Sequence, residues 1–72
     1  MILREIVARN VRRLRQEQDL SQEELADKVG ISRNYVSLIE LAQKSPTIDV
    51  VEKMAKAFKV DPPALLQRER PR

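Results

Sequence analysis

The 72-residue chain contains neither cysteine nor histidine, which excludes disulfides, cysteine-ligated metals, the usual zinc ligand and any catalytic triad built on imidazole. One Tyr and one Phe leave little aromatic surface to line a ligand pocket or to stack on exposed bases. A net charge of +3, with 35% of residues charged, fits a polyanionic partner without naming one.

A chain of this length makes one domain with a small core, burying only about 60% of its unfolded surface. No apolar run approaches the roughly 18 residues of a membrane-spanning helix, and "MILREIVARN" lacks the pattern of a signal peptide. The expectation is a cytoplasmic protein with no membrane, metal or cofactor. Prolines and the single glycine sit between the periodic runs, not inside them, so the fold class is all-α.

The first predicted helix spans Ile2 to Gln18. Leu3, Ile6, Val7, Val11 and Leu14 recur at three- and four-residue steps and make one apolar stripe. Arg4, Glu5, Arg9, Arg12, Arg13 and Glu17 fall on the other face, where the Arg12-Arg13 pair reads as solvated surface. A second helix begins after Ser21. Ser21 and Glu24 form the Ser-x-x-Glu capping box, and Leu20 and Leu25 are placed as a hydrophobic staple. Gly30 supplies a left-handed residue that stops this helix.

A third helix starts with Ser32 as N-cap and runs to about Leu41, ahead of a Lys44-Ser45-Pro46 loop. No glycine closes it. Ala42 stands there instead and is poor in a left-handed cap, so the helix is expected to end differently or to extend. Thr47 caps a fourth helix, with Asp49 in its first turn and Ile48, Val51, Met54, Ala55 and Phe58 as its buried stripe. Val60 packs the next turn. Asp61 and Pro62 read as the N-cap and first residue of a fifth helix carrying Leu65 and Leu66. Residues 67–72 read as a charged, frayed tail.

The second and third helices form a unit. Ala26 is small where the third helix must cross closely, and Ile31 points into the core. With Val36 inward, steps of about 100° place Ile39 and Glu40 on the same side. Asn34, Ser37, Leu38 and Leu41 then lie on the outer or lateral face, and Arg33 projects from the first turn. A helix whose outer face opens with "SRN" offers hydrogen-bonding groups at its N-terminal end, where a recognition helix in a major groove meets base edges. On an arbitrary helix the same residues would be plain solvated surface.

"LSQEELADKVGISRNYVSLIE", preceded by "VRRLRQEQD" and followed by "KSPTIDVVEKMAKAFKV", resembles the Cro/repressor-type helix-turn-helix family, also called the xenobiotic response element family. The likeness covers about residues 6 to 66 and rests on Leu14, Arg15, Ser21, Gln22, Leu25, Ala26, Gly30, Ile31, Val36, Ile39, Glu40, Pro46 and Leu65 at fixed spacing. It implies a compact five-helix domain of the phage-repressor type over 1–66, with the helix-turn-helix at 21–41. It also implies a transcriptional regulator that binds double-stranded operator DNA as a two-fold homodimer.

By the same resemblance, Arg33, Asn34, Ser37 and Leu38 are base-reading positions. Arg suits guanine, Asn suits adenine, and Leu38 offers only apolar contact, for example to a thymine methyl. Gln22 and Arg15 match phosphate contacts, and Gln43 and Lys44 occupy a loop that touches the DNA backbone. Arg15 and Glu40 match a pair that ties the first helix to the third. Leu41, apolar where the family is often polar, and Ala42 weigh on the loop contacts, not on the reading face. Pro62, Leu65 and Leu66 are candidates for the dimer surface, the alternative being that both leucines close the monomer core.

Two free-standing kinds fit this size: a phage-type repressor and the controller protein of a restriction–modification system. The rival reading is a protein-interaction module, either a bridging factor or an antitoxin-like partner, using Leu38 and Leu41 as a partner surface. An enzyme has no support, because the acidic residues are scattered over capping and surface positions.

Overall fold

The computed structural model describes residues 2–68. Its helices are α1 (Leu3–Glu17), α2 (Gln22–Val29), α3 (Arg33–Glu40), α4 (Ile48–Phe58) and α5 (Pro63–Leu66). No strand occurs among the described residues. The charged tail expected over 67–72 lies, from residue 69 onward, outside the described residues.

Three helices start as their sequences dictate. The Ser21 hydroxyl accepts from the Glu24 N–H at 3.0 Å, and the Ser21 N–H donates to the Glu24 carboxylate at 2.8 Å. The Ser32 hydroxyl accepts from the Tyr35 N–H at 3.0 Å, and the Thr47 hydroxyl from the Val50 N–H at 3.1 Å. Each cap satisfies a donor that the first helical turn leaves orphaned.

The same kind of corner ends α1, α2, α3 and α4. Asp19 (φ 56°), Gly30 (φ 83°), Ala42 (φ 58°) and Lys59 (φ 61°) all take the left-handed conformation. The residue after each donates its N–H five residues back: Leu20 to Arg15 at 2.9 Å, Ile31 to Ala26 at 3.0 Å, Gln43 to Leu38 at 2.9 Å and Val60 to Ala55 at 3.0 Å. This six-to-one bond is the signature of the Schellman motif, which also wants an apolar residue folded back onto the helix. Leu20, Ile31 and Val60 meet that need by packing on the core. Gln43 is the polar exception. Ala42 therefore does not change how α3 ends: the helix stops at Glu40 and the corner forms without glycine.

The core joins Val7, Val11 and Leu14 of α1 to Leu25, Ala26 and Val29 of α2, Val36 and Ile39 of α3, Met54, Ala55 and Phe58 of α4, and Leu65 of α5. Four stripe residues fall outside it, Ile6 and Val51 as half-buried side chains and Leu3 and Ile48 as exposed ones. Leu3 is 54% exposed and Ile48 is 88% exposed. Leu3 and Ile48 are the first residues of their helices, on the correct side but beyond the last neighbour able to cover them. The fifth helix also opens differently. Pro62 is already helical and Pro63 is the first helical residue, while Asp61 contributes its carbonyl, accepting from the Ala64 N–H at 2.9 Å.

One polar side chain, Asn10, is buried among these apolar groups. Its amide donates to the Leu65 carbonyl at 2.9 Å and to the Gln67 carbonyl at 2.7 Å, so α1 holds the chain where α5 ends.

Candidate nucleic-acid interface

The α2–turn–α3 unit is set by its buried residues. Leu25, Ala26 and Val29 of α2 and Val36 and Ile39 of α3 are all buried, with Ile31 of the turn packed against them. With that face fixed, the helical period assigns the rest. Arg33 and Asn34 stand exposed in the first turn of α3. Ser37 and Leu38 are half-buried, which places them at the lateral edge of the face, and Leu41 is 61% exposed.

Glu40 is the hub beneath this surface. Its side chain is only 5% exposed, and that of Arg15 is 14% exposed. Arg15 Nε donates to Glu40 Oε2 at 2.6 Å and Nη2 to Oε1 at 3.1 Å, a bidentate pairing of planar guanidinium and planar carboxylate. Arg15 Nη1 donates to the Leu20 carbonyl at 2.8 Å, in the corner after α1. Gln22, the first residue of α2, donates its side-chain N–H to Glu40 Oε1 at 3.2 Å. One carboxylate on α3 thus binds side chains from α1 and α2. The hydrogen bonds to Glu40 raise the Arg15 guanidinium above its ordinary pKa, outweighing burial, with the charge of Glu40 adding to the rise.

Hydrogen-bond capacity remains in this cluster. Arg15 uses three of the five N–H groups of a guanidinium, and Gln22 uses one of its two amide N–H groups. The uncommitted donors suit an acceptor-only anion such as a phosphate oxygen. In the loop after α3, Gln43 and Lys44 are exposed. Lys44 Nζ lies 5.6 Å from the centre of the Tyr35 ring, within cation–π range, so the loop's cation leans back over α3.

The structure thus gathers Arg15, Gln22 and Glu40 into one cluster, and it places Arg33 and Asn34 on open surface and Lys44 against Tyr35. It separates the dimer candidates. Leu65 is fully buried and closes the core against α1 and α4, so it is not available to a partner. Pro62 and Leu66 remain exposed. The Gln22–Glu40 and Lys44–Tyr35 contacts escape sequence reading, because each joins residues at a separation with no local periodicity. Among the described residues no group of three His, Cys, Asp or Glu side chains could hold a metal ion, and no helix is long and apolar enough to cross a membrane.

Comparison with known proteins gives a consistent picture. The helix-turn-helix family model matches residues 11–65. The control protein C.SmaI of Serratia marcescens is 38% identical over 69 residues, covering 96% of this chain and 82% of that protein. The crystal structure of the hypothetical transcription factor NHTF from Neisseria superposes with a TM-score of 0.89 at 39% identity, covering 93% of this chain and 77% of that one. The restriction-modification controller protein C.AhdI from Aeromonas hydrophila superposes with a TM-score of 0.82 at 32% identity, covering 86% of this chain and 94% of that one. The chain belongs to the Cro/repressor-type helix-turn-helix family of DNA-binding transcriptional regulators.

Proposed function

We propose that this regulator reads a specific double-stranded operator as a two-fold dimer, with α3 in the major groove and Arg33 and Asn34 at base edges. The observation that carries this reading is their exposure in the first turn of α3, on a helix whose opposite face is locked into the core. Ser37 and Leu38 border the same face and extend the readout. Arg15, Gln22, Gln43 and Lys44 neutralise or hydrogen-bond backbone phosphates, and the spare donors of the Glu40 cluster support that role for the first two. Base contacts set the sequence, and phosphate contacts set register and salt dependence.

A two-fold dimer places its recognition helices about 34 Å apart, so the operator has half-sites one helical turn apart. Of the two free-standing kinds, a controller protein is favoured, because C.SmaI and C.AhdI match this chain over 82% and 94% of their own lengths. Selection of binding sites from random duplex DNA tests the reading. An enriched pseudo-palindrome with that spacing supports it. An unenriched pool moves the chain to the interaction-module class.

A further inference from the structure

Four of the chain's five lysines meet in one place. Lys28 of α2, Lys53 and Lys56 of α4, and Lys59 at the corner after α4 line an open cleft of about 590 Å³, completed by Val29 and Ala57. All four lysines are exposed, Val29 is buried and Ala57 is half-buried. The cleft thus has an aliphatic floor, extended by the lysine stems, and a cationic rim. No acidic residue lines it. Among the described residues, none of the four ammonium groups lies within ion-pair distance of a carboxylate. Glu24 feels the charge of Lys28, but its carboxylate is already bonded to the Ser21 N–H.

Local causes account for only part of this cluster. Lys28 and Lys56 sit in the last turns of their helices, where the dipole favours a cation. Lys53 lies midway along α4, beyond that effect. Lys59 holds a left-handed corner at φ 61°, which glycine takes with less strain. Four like charges around one cleft repel one another in the free protein, and an anionic partner relieves that repulsion. The duplex at α3 is not that partner. Gln22 and Lys44, assigned to the DNA backbone, stand at or just before the starts of α2 and α4. Lys28 lies about 9 Å along its helix axis from Gln22, and Lys56 about 12 Å from Ile48, so both helices lead away from the duplex. A phosphate backbone also has no apolar group for the Val29–Ala57 floor. Arginine, whose planar fork suits phosphate best, is absent from the rim.

We propose that the lysine cleft between α2 and α4 docks an acidic, amphipathic segment of a partner protein. Aliphatic side chains of the segment rest on Val29 and Ala57, and its carboxylates meet Lys28, Lys53, Lys56 and Lys59. The charges set the sign of the partner, and the aliphatic floor sets its chemistry as protein, not nucleic acid. The contact leaves Arg33 and Asn34 uncovered, so the segment docks on the free chain and on the DNA-bound chain alike. Exposed lysines bind such a segment reversibly and in a salt-dependent way, and opposite charge speeds the encounter.

Amide NMR titration of the full chain tests the proposal. The probe is a peptide of about 14 residues with leucines at three- and four-residue steps and glutamates elsewhere, beside a copy with every glutamate replaced by glutamine. A short mixed-sequence duplex is the second titrant. The acidic peptide is expected to saturate with shifts centred on Val29 and on residues 53–60, and the glutamine copy to bind far more weakly. The duplex should shift α3 and leave those amides still. Lys53→Glu combined with Lys56→Glu is expected to weaken the acidic peptide by about 10-fold or more. Arg9→Glu combined with Arg12→Glu makes the same change in net charge on exposed positions of α1 and should leave its affinity within about twofold. A peptide that fails to bind or binds elsewhere overturns the proposal, as does equal binding of the glutamine copy. Equal losses in the two double variants would reduce the cleft to solvated basic surface. A duplex that occupies the cleft more tightly than the peptide would make it a DNA contact. Shifts there that follow protein concentration without peptide would make it a contact between copies. No operator is needed, so failure of the DNA reading shows separately, as absence of site preference in selection.

Discussion

Asn10 and Leu65, 55 positions apart in the chain, are joined by a buried hydrogen bond of 2.9 Å from side-chain amide to backbone carbonyl. Arg13 Nη2 donates to the other side of the same amide at 3.2 Å, which fixes its orientation. Asn10→Ala removes both amide donors and leaves the Leu65 carbonyl without that partner in an apolar setting. The expected cost is about 1–3 kcal/mol of stability. In a domain this small, each kcal/mol lowers the melting temperature by about 4–8 °C, which calorimetry reads directly.

Glu40 concentrates three hydrogen bonds from two other helices on one carboxylate. Glu40→Ala strands the half-buried Arg15 guanidinium, and about 3 kcal/mol of stability should be lost, the lower end for a buried pair. Arg15→Met combined with Glu40→Leu removes both charges and should be less damaging than Glu40→Ala alone. Urea unfolding of the single and double variants gives the coupling. Simple additivity would show that the pair contributes nothing as a pair.

The Glu24 carboxyl is held below its ordinary range, first by the Ser21 backbone N–H, then by the Ser21 hydroxyl. A carboxyl with a lowered folded pKa stabilises the fold above its unfolded pKa, and that contribution disappears as pH falls through the folded value. Glu24→Gln should therefore be less stable than wild type at neutral pH, and the gap should close on acidification below the usual Glu range. Paired thermal melts from neutral to strongly acidic pH check the sign. A gap that widens in acid refutes the capping-box linkage.

Ala42 holds φ at 58°, where a side chain with a Cβ is strained by about 1–2 kcal/mol relative to glycine. Ala42→Gly relieves that strain but frees the unfolded chain, so the net gain should be about 0.5–1 kcal/mol. Denaturant midpoints of the two proteins decide it. An Ala42→Gly variant less stable than wild type would mean that the corner tolerates the alanine without strain.

Arg33→Ala should weaken operator binding by about 1–3 kcal/mol and relax preference at one base position. Lys44→Ala should instead weaken all sequences alike and lower the salt slope by about one. Titrations at two salt concentrations against a panel of single-base operator variants separate these patterns. Unchanged affinity of Arg33→Ala for every base at every position would remove Arg33 from the reading face.

The starts of the helices were legible because a cap is local: Ser21, Ser32 and Thr47 each find their partner three residues on. Their ends were less so. Only Gly30 advertises a left-handed corner, while Asp19, Ala42 and Lys59 are bent into one by the six-to-one bond, helped at Asp19 and Lys59 by packing of the apolar residue that follows. Periodicity chose the correct face for Leu3 and Ile48 but carries no information on whether another element lies there. Asn10 shows the converse, since a polar residue between Val7 and Val11 gives no sign that two carbonyls from the far end of the chain wait for it. For the interface, the exposure of Arg33 and Asn34 followed from the helical period alone. The tie from Gln22 to Glu40 required the tertiary fold.

The apolar hollow lined by Leu3, Val7, Ile48, Val51 and Leu66 has a practical consequence. Leu3 stands on it near one end of the chain and Leu66 near the other, and Asn10 pins the backbone at residues 65 and 67 beside α1. Polypeptide fused before residue 2 or after residue 68 therefore emerges close to that hollow. An affinity tag or fluorescent label at either end therefore crowds the apolar surface of α1, α4 and α5. Labels that must leave that surface open belong elsewhere, for example at the exposed Asp27 of α2, which does not line the hollow.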